Sequence, residues 1–507
     1  MMKNKYFLII LALSFLSFFA NIWGISIYSL DEAKNSVAAR EMLDRGDFIV
    51  PTFNYEIRTD KPPLHYYFMI FAYKLFGVNE FSARFFSSVF GVLTVLITFL
   101  FARKFYNEKV AFLAGIVLLA SLHFSIQNHM AVPDPYLIFF INASLFSFFI
   151  FYKSNKDLYL WFFYIFCGFG VLTKGPVAVV LPFIIVFAFL LYIHSISLAF
   201  LKKLHLIKGI LIILVISLPW YIAVSLKTDF YWTKEFLLKH NFHRFSNAME
   251  GHGGLFLLTI LFVFIGLLPF SVFIIQALKK AWKEKFKDIN VFLLLFAVIY
   301  VGFFSISSTK LPNYTVPVYP ALAIIIAYYL YTAKRNRYFV ISLAVFSLIT
   351  VVLAFGSYFG LKNEPAVKDL AFFGFSFLFL SIVGVISLLF KSVGKSIIFL
   401  FTGSFLFVLA FFYLIFPPID KRNPVQQALK LIPKKSRVFY YKGFNPAFAF
   451  YIKTPIKEVN LKSLKTGDII LTRKRHLKDL KNLKGLKLIF LQKDLFENKY
   501  TAVLKKI

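Results

Sequence analysis

Acidic side chains are scarce in this chain of 507 residues: 24 Asp and Glu stand against 57 Lys and Arg, a formal net charge of +33. Cysteine is scarcer still. The single Cys167 sits inside an apolar run, which excludes a disulfide framework and a thiolate metal site. Charge of either sign amounts to 16% of residues, while 59% are hydrophobic and 20% aromatic, and mean hydropathy is +0.73. A soluble globule could not hide that much apolar surface, so the chain reads as a polytopic α-helical membrane protein. Its Lys and Arg fall in short clusters between apolar runs and not along one helical face, so the basic excess points to a lipid bilayer with an anionic surface and away from nucleic acid. Internal repeats are lacking, as are low-complexity linkers beyond the joint "FPPIDKRNP".

Runs near the ~20 residues needed to cross a bilayer lie around 6–27, 84–104, 108–127, 135–152, 157–173, 176–194, 206–226, 254–278, 289–307, 312–332, 337–359, 370–391 and 395–416, giving about thirteen spans. The first is longer than a signal-peptide core and lacks a clear cleavage site, so it is expected to stay as an uncleaved span. Basic connections such as "ARKFYNEK", "YKSNKD", "KKAWKEKFKD" and "KSVGK" alternate with connections poor in base. The positive-inside rule puts the basic set, and the N-terminus, in the cytoplasm. The other face then receives the long loops 28–83 and 227–253 and the tail from 417. A transmembrane domain, 1–416, is therefore expected with a C-terminal soluble domain, 417–507, of about ninety residues, enough to fold as a small α/β unit.

That parity sends every polar stretch that is hard to explain as packing to one side: "YSLDEAK", "TDKPPL", "VPDPY", "LTKGP", "KHNFHRF" and "TKLPNYTVP". One outward-facing cavity is the economical reading. Ser29 with Glu32 forms a capping box and Gly46 a stop, predicting a helix from Leu30 to Arg45 with Asp31 and Glu32 in its first turn. Acids there complement the helix dipole, or serve as a base or an orienting group. Asp60 is expected to cap a second helix ending at Gly77. Lys61 then sits where the dipole is already positive, as a phosphate-binding residue or a snorkelling lysine.

Asp134 lies between two prolines at the mouth of a span, either as a solvated cap or paired to a base or metal. Lys174 occupies a tight turn, Lys310 and Tyr314 the start of another span, and each is either a local anchor or a base or phenol turned to the cavity. His240 and His243, three apart, could face one side of a helix as metal ligands. Arg244 is the expected bidentate phosphate clamp. Several bases with a few carboxylates, and no nucleophilic Ser or Cys constellation, suit group transfer from a lipid phosphate.

The stretches "YSLDEAKNSVAAREML", "TDKPPLHYY", "LTKGPVAVVLP", "NFHRFSNAMEGHGGLFLLTILFVFIGLLPF" and "TKLPNYTVPVYPALA" occur in one order over most of the first 330 residues. Together they resemble the bacterial members of the dolichyl-phosphate-mannose protein mannosyltransferase superfamily, most closely the aminoarabinose transferases that modify lipid A. The resemblance implies a GT-C fold with about thirteen spans, a large first outward loop and a C-terminal soluble domain. It also implies inverting transfer of a sugar from a polyprenyl (undecaprenyl) phosphate to lipid A, another glycan or a protein, outside the cytoplasmic membrane of a bacterium.

Under that resemblance Asp31 and Asp134 are the catalytic candidates, and Glu32, Asp60, Lys61, Lys174, Arg244, Lys310 and Tyr314 the substrate-binding ones. Asp31 would act as base toward a hydroxyl, or orient the donor sugar toward a phosphate acceptor. The chain departs from the branch at two points: Asp60 stands where those enzymes look to have glutamate, and Asn241 where they have histidine. Those positions resemble a metal site, so Asp60, His240, Asn241 and His243 are the candidate ligands and a divalent cation the candidate cofactor. The competing function is a lipid-linked glycan flippase, which would show paired half-repeats and broken helices. An O-antigen-type ligase would instead place its large loop near the C-terminus.

Overall fold

The computed structural model describes residues 5–243, 254–433, 435–480 and 485–507, so Arg244 and the side chain of Asn241 lie outside the described residues. Helices α1 (Lys5–Phe18), α2 (Leu30–Arg45), α3 (Leu64–Phe76), α4 (Glu80–Phe105), α5 (Glu108–Leu119), α6 (Leu122–His129), α7 (Asp134–Ser154) and α8 (Asp157–Lys174) open the chain. Among the described residues eight helices are long and apolar enough to cross a bilayer, and ten if each of two bent pairs counts as one span. The expectation from hydropathy was about thirteen.

The difference has physical causes. Helix α1, with 14 residues, rises ~21 Å, and Val177–Tyr192, with 16, rises ~24 Å, short of a ~30 Å hydrocarbon core. Helix α8 carries charge at both ends, Asp157 and Lys174. Helices α5 and α6 meet at 69°, where Ser121 caps the new helix, and Leu257–Gly266 meets Phe270–Lys283 at 116°. The bundle's outer surface is apolar, with Ile207, Val215, Leu348 and Val352 all exposed, which is tolerable against lipid and not against water. The protein is a multi-pass membrane protein.

Helix α2 forms as the sequence predicts: Ser29 accepts from the Glu32 amide, and Gly46 ends it in the left-handed region at φ 64°. Helix α3 starts later than predicted. Its N-cap is Pro63, without a side-chain cap, so Asp60 and Lys61 lie in the loop before it and the lysine does not sit on its first turn. The reason is that Asp60 is turned toward Arg58 and His240 instead of toward the helix amides.

The loop before α3 carries a short antiparallel pair, β1 (Thr52–Phe53) and β2 (Glu56–Ile57). The chain's last part forms a five-stranded sheet from β3 (Val438–Tyr440), β4 (Lys457–Glu458), β5 (Ile469–Arg473), β6 (Leu486–Lys493) and β7 (Tyr500–Lys506), in the order β4-β3-β5-β7-β6. β3 runs parallel to β4 and β5, and β7 antiparallel to β5 and β6. The run "AFAFYI" is a helix, Ala447–Ile452, beginning after Pro446.

This sheet does not hang free of the bundle. Val37, Met42, Tyr66 and Met69 from α2 and α3 share one buried cluster with Phe448, Phe450, Ile469 and Val503. Buried Arg40 of α2 donates to the carbonyl of Ala449 at 2.8 Å, and the Ser26 amide donates to Asp420 at 2.8 Å. The first loop and the tail are thus one packed layer over the bundle.

Candidate active site

A cavity of about 410 Å³ opens where α7, α8, the segment before α3 and the stretch 300–317 converge. Two of its charged groups are placed by the ends of helices. Asp134 begins α7 and is buried; Lys174 ends α8, where Gly175 turns the chain at φ 82°. Lys174 donates to Asp134 Oδ1 at 2.7 Å, and Asn313 donates to the same oxygen at 2.9 Å. The ammonium also lies 5.2 Å from the centre of the Tyr314 ring, which packs on Phe304.

At the other side, Asp60 is bracketed by a guanidinium and an imidazole. Arg58 Nε donates to Oδ2 at 3.1 Å, and His240 Nε2 lies 3.1 Å from Oδ1. Burial works against the charge on Asp60, yet Arg58, His240, Lys34 and Lys61 together hold its carboxyl down to about 2. Arg58 is itself buried, and its backbone carbonyl accepts from the indole of Trp232 at 2.8 Å. Its Nη1 and Nη2 have no hydrogen-bond partner among the described residues.

The structure therefore brings Asp60, Lys61, Asp134, Lys174, His240 and Tyr314 around one space. Asp31 is not on that wall. It is exposed in the first turn of α2, and its charge, after those of Tyr66 and Asp60, helps raise the pKa of Arg58 against burial.

Two expected substrate ligands are engaged elsewhere. Glu32 is buried against Arg84 in a two-point ion pair of 2.7 and 3.0 Å and accepts from the Ala131 amide at 2.9 Å, so it joins α2 to the bundle. Lys310 is buried and donates to the carbonyls of Ser305 and Ser307 at 3.0 and 2.6 Å, closing the end of the helix Asp288–Ile306.

The two histidines do not share a face. Residues 236–243 form a π-helix, whose turn closes at i→i+5, so a spacing of three points two ways; His240 reaches the cavity while His243 is exposed. Among the described residues no group of three His, Cys, Asp or Glu is gathered as metal ligands. Asp60 and His240 are two donors engaged with each other and with a guanidinium, which is a poor fit to a held divalent cation.

Two cavity residues, Asn313 and Tyr300, and Arg58, which pairs with Asp60 behind the wall, were not singled out from the sequence. Arg58 stands two places before Asp60, and Asn313 directly before Tyr314, so proximity to a singled-out residue was their signal. Tyr300 carried none, because a tyrosine inside an apolar helix reads as core. Here it lines the cavity, buried, with its hydroxyl lacking a partner among the described residues.

The cavity's remaining wall is apolar: Leu137, Val177, Leu237, Phe303 and Phe304. A charged head opening into a greasy trough is the shape of a lipid phosphate.

Residues 8–231 match the family model "Dolichyl-phosphate-mannose-protein mannosyltransferase". An uncharacterised protein of Aquifex aeolicus (strain VF5) is 30% identical over 478 residues, 93% of this chain and 91% of that protein. The undecaprenyl phosphate-alpha-4-amino-4-deoxy-L-arabinose arabinosyl transferase of Aeromonas hydrophila is 30% identical over 312 residues, 59% of this chain. The match spans 55% of that enzyme's own length. The crystal structure of ArnT from Cupriavidus metallidurans bound to undecaprenyl phosphate superposes with a TM-score of 0.84 at 19% identity, covering 100% of this chain and 98% of that one. Residues 8–231 thus match the dolichyl-phosphate-mannose-protein mannosyltransferase family, the chain shares the GT-C fold of the ArnT structure over its whole length, and over 312 residues it is similar to the aminoarabinose transferases.

Proposed function

We propose that this protein transfers a sugar from undecaprenyl phosphate to an extracytoplasmic acceptor such as lipid A or another glycan. The observation that carries this is the cavity that joins Lys61, Lys174 and Tyr314 to an apolar trough. The family and the relatives' donor, named as undecaprenyl phosphate, support it. In the step, the C1–O bond to the phosphate breaks and its electron pair leaves on the polyprenyl phosphate. A new C1–O bond forms to the acceptor oxygen on the opposite face.

Lys61, Lys174 and Tyr314 hold the phosphate as charge gathers on it, with Arg244 as a further base. Asp31 takes the proton of a hydroxyl acceptor, or orients the donor sugar when the acceptor is already an anion. Asp134, fixed by Lys174 and Asn313, is the second acid at the donor. Asp60 orients His240 and neutralises Arg58.

The active site and tail belong outside the cytoplasmic membrane, with the N-terminus and basic turns inside. Supporting this, α7 runs from Asp134 at the cavity to Lys153, which pairs with Asp288, and the helix from Asp288 returns to Ser307 at the cavity. Base-rich turns thus sit at the bundle end away from the site.

The test is transfer by the purified chain in nanodiscs from undecaprenyl phosphate carrying radiolabelled 4-amino-4-deoxy-L-arabinose or mannose. Release of free undecaprenyl phosphate with a labelled acceptor is expected. Movement of intact donor across vesicle bilayers, with no phosphate lipid released, would overturn the reading in favour of translocation.

A further inference from the structure

A separate cavity, about 480 Å³, lies at the end of the bundle opposite the donor trough. Helix ends enclose it: Phe105 closes α4, Asn107 caps α5, Lys153 stands in the last turn of α7, and Asp288 and Tyr328 come from the helices Asp288–Ile306 and Tyr319–Thr332. Helix α7 carries Asp134 in the trough and Lys153 here, ~28 Å apart along its axis, close to the thickness of a hydrocarbon core. The two cavities therefore sit at opposite bilayer surfaces.

Beside this second one runs the chain's stretch "KKAWKEKFKD", Lys279 to Asp288, with five lysines against two acids. Both acids are engaged. Glu284 pairs with Lys280 and Lys287 at 2.9 and 2.6 Å and accepts from the Tyr328 hydroxyl at 2.6 Å, while Asp288 pairs with Lys153 and accepts from Tyr152 at 3.0 Å. These contacts fix Lys153 and Lys287 at the cavity without using all three donors of either ammonium among the described residues. Lys279, Lys283 and Lys285 are exposed and form no ion pair among the described residues. Positive charge is left over.

Large apolar side chains are exposed in the same stretch of chain: Ile275 by 62%, Trp282 by 57% and Phe286 by 75%. Ile275 and Trp282, seven apart, share one face of the helix Ile274–Lys283, and Lys285 lies 4.8 Å from the Trp282 ring. Such side chains beside lysines are costly in water and favourable at a membrane surface. A soluble anion would use the lysines but leave Ile275, Trp282 and Phe286 bare. A lipid uses both.

We propose that this cavity binds an anionic glycerophospholipid of the leaflet opposite the reaction. Lys153 and Lys287 hold its phosphodiester, and Trp282 and Phe286 pack on its chains. Only a bundle that spans a bilayer is assumed, so failure of the transferase reading leaves this site standing.

The experiment titrates the full chain in detergent with phosphatidylglycerol, phosphatidylcholine of the same chains, glycerol 3-phosphate and ATP, counting bound lipid by native mass spectrometry. Undecaprenyl phosphate binding is followed in the same preparation. Phosphatidylglycerol is expected to bind about tenfold or more tightly than phosphatidylcholine, and Lys153→Gln/Lys287→Gln to abolish that preference. Because this variant leaves Asp288 and Glu284 less compensated, Lys283→Gln/Lys285→Gln is the second, expected to reduce the preference about threefold or more with an unchanged melting curve. Equal binding of the two phospholipids by wild type, or a preference that survives in the folded variants, would overturn the proposal. Displacement of phosphatidylglycerol by undecaprenyl phosphate, at concentrations that fill the donor trough, would do so as well, by placing the anionic lipid there. Displacement by ATP or glycerol 3-phosphate would make the cavity a site for soluble anions instead.

Discussion

Asp60 is held between Arg58 Nε at 3.1 Å and His240 Nε2 at 3.1 Å, so the carboxylate in "RTDKPPL" joins a guanidinium of its own loop to an imidazole of the π-helix 236–243. Arg58 is buried and keeps two guanidinium nitrogens without partners among the described residues. Removing the charge of Asp60 leaves that guanidinium less compensated. Asp60→Asn is expected to lower transfer at least tenfold, roughly 1.4 kcal/mol of barrier, and to lower the thermal midpoint in detergent. A variant with wild-type rate and midpoint would remove Asp60 from the site.

Adjacent acids on α2 should behave differently. Asp31 is exposed, whereas Glu32 is locked to Arg84. Asp31→Asn is expected to abolish transfer with the melting curve unchanged. Glu32→Gln, which breaks a buried ion pair, is expected to cost about 3–5 kcal/mol of stability and to show as reduced yield of folded protein. The paired melting curves and rates decide this, and a stable, inactive Glu32→Gln would return that residue to the substrate.

Lys61→Ala and Tyr314→Phe are expected to weaken undecaprenyl phosphate binding by about tenfold or more for the lysine, a charge-assisted contact, and less for the phenol. Lys310→Ala is expected to leave lipid binding near wild type while lowering stability, because its ammonium serves two backbone carbonyls. Titration of lipid phosphate against tryptophan fluorescence separates the two effects.

His65 supplies a pH dependence. It is buried in α3, and burial, with Arg58 and Lys61 adding to it, pushes its pKa well below the usual imidazole value. The fold therefore refuses a proton that the unfolded chain accepts. Stability from this residue is full above pH ~6.5 and falls as pH drops below it, by at most about 1.4 kcal/mol per pH unit. His65→Gln should flatten the fall in thermal midpoint between pH 6.5 and 5; an unchanged slope would place the acid sensitivity elsewhere.

These contrasts also show what the sequence could and could not disclose. Ser29, Glu32 and Gly46 marked the ends of α2 because capping is a local interaction, visible within a few residues. Apolar runs disclosed most of the bundle for the same reason. The roles of Glu32 and Lys310 were not legible, since their partners stand 52 residues away at Arg84 and on a helix terminus whose geometry decides whether carbonyls need a donor. Asp60 misled because a cap and a loop carboxylate look alike until His240, 180 residues later in the chain, is brought beside it. The π-helix at 236–243 likewise had no signature that would separate it from an α-helix, and it alone turns His243 away from His240.

The packing of α2 against the tail carries a consequence for how the protein matures. Ser26 bonds to Asp420, 394 residues downstream, and Arg40 to Ala449, 409 downstream. At synthesis rates of roughly 5–20 residues per second, the helix bearing Asp31 waits on the order of 20–80 s before its partner has been made. Until β5 and β7 have been made and paired, α2 lacks the sheet it packs against, so the layer that carries Asp31 is finished only after more than 400 further residues have been added.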